Sequence, residues 1–129
     1  MTMTNIQQKQ TNHRFDLEER TLIFAKSVIR LCKELPPSIV NSKLIDQLVR
    51  SSGSVGANYR EANDSIGKKD FLFRLKISRK ESKETIFWLE LIIEANEGFR
   101  TRVELLIDEC TQIRNILSVI ISKVENRNV

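Results

Sequence analysis

Few side chains in this sequence could carry chemistry, and their placement limits what that chemistry is. The chain has one histidine, His13, and two cysteines, Cys32 and Cys110. A thiolate or imidazole metal centre gathers three or four such ligands at short spacing, and neither cysteine belongs to a Cys-x-x-Cys pair. A carboxylate di-metal centre in a helical bundle takes a Glu-x-x-His pair from each of two helices, which one histidine cannot supply. Ser or Cys nucleophiles activated by histidine meet the same shortage. An Arg followed closely by a His, as in RNA-cleaving helical bundles, cannot occur, because His13 precedes every arginine. Residues 51–58 are rich in Ser and Gly, but no Gly-Lys-Ser or Gly-Lys-Thr ending follows to make a phosphate-cradling loop. The residues therefore argue for no metal, no cofactor and no enzymatic activity. Glu81 and Glu84 read as surface positions of a helix.

Charge is the more informative signal. The chain has 21 Lys and Arg against 17 Asp and Glu, a net charge of +4. That excess permits an anionic partner without demanding one. Its distribution is uneven. Residues 68–83 hold seven cations, Lys68, Lys69, Arg74, Lys76, Arg79, Lys80 and Lys83, opposed by Asp70 and Glu81. Residues 84–97 hold four acids, Glu84, Glu90, Glu94 and Glu97, and no cation. Such a cationic cluster can neutralise phosphates and release counterions. With Arg50 and Arg60 from the preceding segment, these seven residues form the candidate nucleic-acid surface. No interleaved aromatics suggest base stacking, so contact would go to the backbone and shape of structured RNA. The competing readings are a solvated face and charge pairing between neighbouring subunits.

The elements that must position these residues are helices. Four glycines and two prolines in 129 residues leave few turn sites. Asp16 and Glu19 resemble a capping box ahead of a first helix. Leu17, Phe24, Val28, Leu31 and Leu35 form one stripe on it, with Leu22, Ala25, Ile29 and Cys32 beside it, until Pro36-Pro37 stop the chain. A second helix spans about 42–65, with Ile45, Leu48, Ser52, Val55, Tyr59, Ala62 and Ile66 at alternating steps of three and four. Propensity alone would make residues 51–58 a loop, yet the period passes through them unbroken, so the reading is helix. Gly67 suits a left-handed turn.

A third helix runs over about 68–96, with Phe71, Leu75, Ser78, Ser82, Thr85, Leu89 and Ile92 on one face, and Gly98 ends it. Its small polar centre should face that of the second helix. Thr101 and Glu104 read as the capping box of a fourth helix, whose heptad is Val103, Leu106, Cys110, Ile113, Leu117, Ile120 and Val124. Short connections between four long helices predict an all-α, antiparallel up-down four-helix bundle over residues 15–126. Residues 1–14 read as a disordered polar tail without an apolar signal core.

The cysteines read as reduced, buried thiols rather than a secreted disulfide framework. The longest charge-free run, residues 51–59, is nine residues, far short of the roughly 20 apolar residues a spanning helix needs. No membrane contact and a cytoplasmic location follow as expectations. One amphipathic helix needs about one apolar face for its own core. Leu22, Ile23 and Ile29 exceed that need, and surplus exposed apolar surface marks interfaces. The chain is expected to associate with itself.

Two segments carry a family resemblance. The run Gln47-Leu48-Val49-Arg50-Ser51-Ser52-Gly53-Ser54-Val55-Gly56-Ala57-Asn58-Tyr59-Arg60-Glu61-Ala62 resembles the second-helix signature of the four-helix-bundle proteins encoded within 23S ribosomal RNA intervening sequences. The segment from Phe71 to Leu89, with Ser78, Glu81-Ser82, Glu84-Thr85 and Trp88-Leu89, is similar to their third helix. The likeness covers about residues 15–124. It implies a bacterial cytoplasmic protein, an antiparallel bundle and a ring-like homo-oligomer, a pentamer in some members. A related group serves as accessory proteins to reverse transcriptases of diversity-generating retroelements. Ala62 stands where many members have Gly. The function these readings support is a non-enzymatic, oligomeric adaptor associated with RNA, and the alternative is a protein-interaction scaffold that does not touch nucleic acid.

Overall fold

A computed structural model describes residues 13–127, with side chains from residue 17 onward. Of the expected polar tail, residues 1–14, the first twelve lie outside the described residues, as do the side chains of residues 13–16. The described chain forms four helices joined by short connections. They are α1, His13–Glu34, α2, Ile39–Asn63, α3, Lys68–Ala95, and α4, Arg100–Asn126. A single 3-10 turn, Glu97–Phe99, leads into α4. No strand occurs among the described residues. Each helix packs on its neighbours in the order α1, α2, α3, α4, and α4 returns to α1. The all-α up-down bundle expected from periodicity is the observed architecture.

The core follows the stripes. Leu17, Phe24, Val28, Leu31 and Leu35 of α1 meet Leu48, Val55, Tyr59 and Ala62 of α2, Leu75, Leu89 and Ile92 of α3, and Val103, Cys110, Ile113 and Leu117 of α4, all buried. On α4 the buried position shifts from the expected Ile120 to Ile121. A straight helix turns every 3.6 residues, so a strict heptad drifts off the core face over several turns.

Residues 51–58 are helical and central. Here the core is made of small hydroxyl side chains. Ser78 donates from Oγ to the Val55 carbonyl at 2.7 Å. Thr85 donates from Oγ1 to the Glu81 carbonyl at 2.8 Å, and the same oxygen lies 2.9 Å from Ser51 Oγ. The Cys110 thiol bonds the Ser82 carbonyl at 3.3 Å. Small side chains let the backbones approach, and each buried hydroxyl finds a backbone or side-chain acceptor, which removes the penalty of burying it. Gly56 performs the same service toward α1. A methyl group there would lie 2.8 Å from Thr21 Oγ1 and 3.1 Å from Thr21 Cβ.

The helix ends differ from the expected caps. α1 is already under way at His13, so Asp16 sits within its first turn. α2 begins three residues earlier than its apolar period suggested, because Ser38 caps it by accepting from the Asn41 backbone N–H at 2.9 Å. Ile66 lies past the end of α2 and is almost fully exposed. Gly67 does take a positive φ, +86°. At the other end of α3, Asn96 rather than Gly98 closes the helix. Asn96 and Asn41 exchange a reciprocal pair of amide hydrogen bonds, each 2.9 Å, and this pair locks the start of α2 to the end of α3. α4 begins at Arg100 after Phe99, with no side-chain cap. Thr101 is inside the helix, and Glu104 turns to Arg100 instead.

Candidate nucleic-acid interface

α3 presents its core stripe to α2 and α4 and leaves its opposite side to solvent. Lys69, Lys76, Lys80 and Lys83 are exposed, and Lys68, Arg74 and Arg79 are partly so. Seven expected residues therefore share one half of one helix, as the sequence suggests. Their partners divide them. Lys76 holds Glu125 of α4 at 2.8 Å, and that pairing holds the Glu125 carboxyl below its usual range, helped by the nearby charges of Arg79 and Lys68. Arg74 donates to Asn58 Oδ1 at 3.3 Å and stacks its guanidinium 5.8 Å from the centre of the Phe73 ring.

The two α2 arginines do not join this ridge equally. Arg50 reaches across to α3, where it pairs with Glu84 and, at 3.3 Å, with Glu81. Its charge is thus matched by two carboxylates. Arg60 lies one turn beyond Gly56, which touches α1, and one turn before Asn63, which donates to Glu18 of α1 at 2.7 Å. That places Arg60 on the α1 side of the bundle, away from α3. Glu81 and Glu84 also differ from their expected surface role. Glu81 is buried and Glu84 half-buried, because Arg50 covers both and Trp88 donates from Nε1 to Glu84 at 3.0 Å. Periodicity placed them near the edge of the α3 stripe but could not show that an arginine from α2 roofs them.

The expectation of no aromatics among the cations is also corrected. Phe73 and Phe87 are each more than half exposed, at 57% and 53%. They sit on the outward side of α3, seven residues either side of Lys80, so the three share a stripe. The seven-residue spacing was visible in the sequence. Their exposure depends on how α3 is rotated against α2 and α4, which spacing alone does not fix. Phe87 packs edge-on to Trp88 with centroids 5.1 Å apart.

The thiols behave as structural groups. Burial pushes the Cys110 thiol up to about 12 and the Cys32 thiol to about 11. A thiol that resists ionising is a poor nucleophile and a poor metal ligand. Among the described residues no group of His, Cys, Asp and Glu is placed to hold a metal ion, and no helix is long and apolar enough to cross a membrane.

The fold and this surface define a class: a small antiparallel helical bundle with a cationic ridge on its third helix. The sequence matches the family model described as 23S rRNA-intervening sequence protein over residues 14–119, and the chain belongs to that family. It is also similar to a crystal structure from Bacteroides thetaiotaomicron, described as a protein with unknown function from the S23 ribosomal protein family. The two share 33% identity and a TM-score of 0.73, over 81% of this chain and 97% of that one. No curated protein matches the sequence.

Proposed function

We propose that this bundle is a non-enzymatic, oligomeric adaptor that binds RNA through the outward, N-terminal half of α3. The observation that carries the reading is the ridge itself. Lys69, Lys80 and Lys83 stand exposed beside Lys68, Lys76 and Arg79 along about four turns of one rigid helix. Long cations on a fixed rod track a phosphate backbone, and each phosphate neutralised releases a counterion. Phe73 adds an exposed ring within the same ridge, able to stack on an unpaired base. Family membership supports the link to RNA, and the exposed Leu22, Ile23 and Ile29 support self-association. A cytoplasmic location fits the same reading.

A second reading has its own support. Lys76 and Arg50 already hold carboxylates of their own chain, so part of the cationic surface is internally matched. In that reading the bundle is a protein-interaction scaffold without nucleic-acid contact.

A gel-shift titration with structured RNA at low salt separates the two. Wild-type chain should shift the RNA, and affinity should fall with salt at a log-log slope of about 0.9 per phosphate contacted on a duplex. Lys76→Ala, Arg79→Ala and Lys80→Ala together should weaken binding while circular dichroism stays helical, since none of the three is in the core. No shift with wild type, or equal binding by the triple variant, removes RNA contact from α3. If the triple variant instead loses its oligomeric mass, the scaffold reading takes over.

A further inference from the structure

α1 turns one stripe of its surface away from its own bundle. Leu22, Lys26, Ile29 and Lys33 follow at i, i+4, i+7 and i+11, with Ile23 and Arg30 beside them, and all six are exposed. The three aliphatic residues are 42%, 54% and 46% exposed. Between Leu22 and Lys33 there is no carboxylate. The stripe is therefore apolar and cationic in alternation.

Elsewhere on the molecule lies a surface of the complementary kind. α3 and α4 enclose a groove of about 630 Å³. Glu90 and Glu94 form one wall, Glu104 and Asp108 the other, and Ile93 and Ile107 the floor. Arg100, at the groove, is already held by Glu97 and Glu104. Glu90, Glu94 and Asp108 remain without a cation among the described residues. Like charges one turn apart destabilise a helix, so each wall carries a repulsion that an incoming cation would relieve.

The two surfaces also stand at the same height. Glu34 of α1 pairs with Arg102 of α4 at 2.8 Å, and Arg20 pairs with Glu109 at 2.7 Å. These bonds set the stretch of α1 between Arg20 and Glu34, which carries Lys26, Arg30 and Lys33, beside the stretch of α4 between Arg102 and Glu109, which carries Glu104 and Asp108. A second copy turned about an axis parallel to the bundle can thus bring its α1 onto this groove without sliding along it.

We infer that the outward stripe of α1 docks into the α3/α4 groove of a second copy, with Lys26, Arg30 and Lys33 facing Glu90, Glu94 and Asp108 over a seam of Ile29, Ile93 and Ile107. The inference rests on the self-association proposed above and supplies the surfaces. The contact is head-to-tail, so every copy offers one stripe and one groove until the assembly closes on itself. A face-to-face pairing of two α1 stripes is disfavoured, because Lys26 and Lys33 would meet their own counterparts.

Charge reversal of the full-length chain, read by light scattering at micromolar concentration, tests this. Lys26→Glu with Lys33→Glu, and separately Glu94→Lys with Asp108→Lys, should each reduce the wild-type mass to that of a monomer. The four substitutions together should restore it. Wild-type mass in both double variants, or a folded quadruple variant that stays monomeric, overturns the docking while leaving self-association intact. A monomeric wild type overturns both. A cross-link readout does not depend on refolding of the charge variants. Lys33→Cys with Glu94→Cys should oxidise to covalent multimers, whereas efficient dimerisation of Lys33→Cys alone would mean that the α1 stripes face each other.

Discussion

The seam between α2 and α3 and the seam between α1 and α4 are built from different materials. α2 and α3 share the most extensive contact in the molecule, and α1 and α4 the least. At the centre of the first seam stand Ser51, Ser52, Ser78, Ser82 and Thr85, all buried. α1 contributes Phe24, Val28 and Leu31 and is tied to α4 at its margin by Arg20, which grips Glu109 with two bonds of 2.7 and 2.9 Å. Small hydroxyl side chains fix two helices at close range through specific bonds. Large apolar ones hold a helix by volume, with less dictated about its orientation. The close seam therefore makes α3 a rigid mount for its cations. α1, less engaged with α4, keeps an apolar outer face that its own bundle does not bury.

Opposite changes of volume should break the two sides. Phe24→Ala leaves a cavity where α1 meets the core and should cost about 3–5 kcal/mol in denaturant unfolding. Ser78→Val adds volume at a fully buried position whose Oγ donates to the Val55 carbonyl of α2 at 2.7 Å, and should cost about 1–3 kcal/mol. If Ser78→Val were neutral, the α2/α3 seam would not be close-packed.

The two glycines of α2 sharpen the contrast with a smaller effect. A methyl on Gly53 meets nothing within 4 Å, while on Gly56 it meets Thr21 at 2.8 Å. Thr21 cannot easily retreat, being buried and donating to the Leu17 carbonyl at 2.9 Å. Gly53→Ala should stabilise the helix by up to about 1 kcal/mol. Gly56→Ala gains the same propensity but must displace Thr21, for a net loss of about 1 kcal/mol. Melting temperatures of the two variants should move in opposite directions.

The thiols give the subtlest test. Both have folded-state pKa values raised by burial, to about 11 for Cys32 and about 12 for Cys110. Their contribution to stability is fully present below the unfolded thiol value, about 8.5, and is lost as pH rises toward 11 and 12. Native chain at pH 8 should react slowly with a thiol reagent at half-buried Cys32, and at Cys110 only on unfolding. Fast labelling of Cys110 would mean that α4 opens away from α3.

Much of this architecture was legible in the residues. The Leu75, Ser78, Ser82, Thr85, Leu89 and Ile92 stripe predicted the buried face of α3, and the unbroken period through residues 51–58 predicted helix against propensity. Helix ends were less legible. Ser38, Asn41 and Asn96 act through side-chain bonds, one of them spanning 55 positions of sequence, whereas the capping pattern at Thr101 and Glu104 matched a motif that the chain does not use.

The sequence by itself determined the periodicity of four helices, the shortage of catalytic groups and the clustering of cations in the first half of α3, because each depends only on residue type and spacing along one helix. The tertiary structure alone decided which of those charges are spent. Arg50 is matched because α2 sets it against Glu81 and Glu84 of α3, and Arg60 is turned to the α1 side by the rotation of the same helix. Glu90, Glu94 and Asp108 come together only because α3 and α4 run side by side. Distance between charges is set by how helices rotate and approach, and that depends on the volumes of Gly56, Ser78 and Ser82 meeting partners far away in the chain.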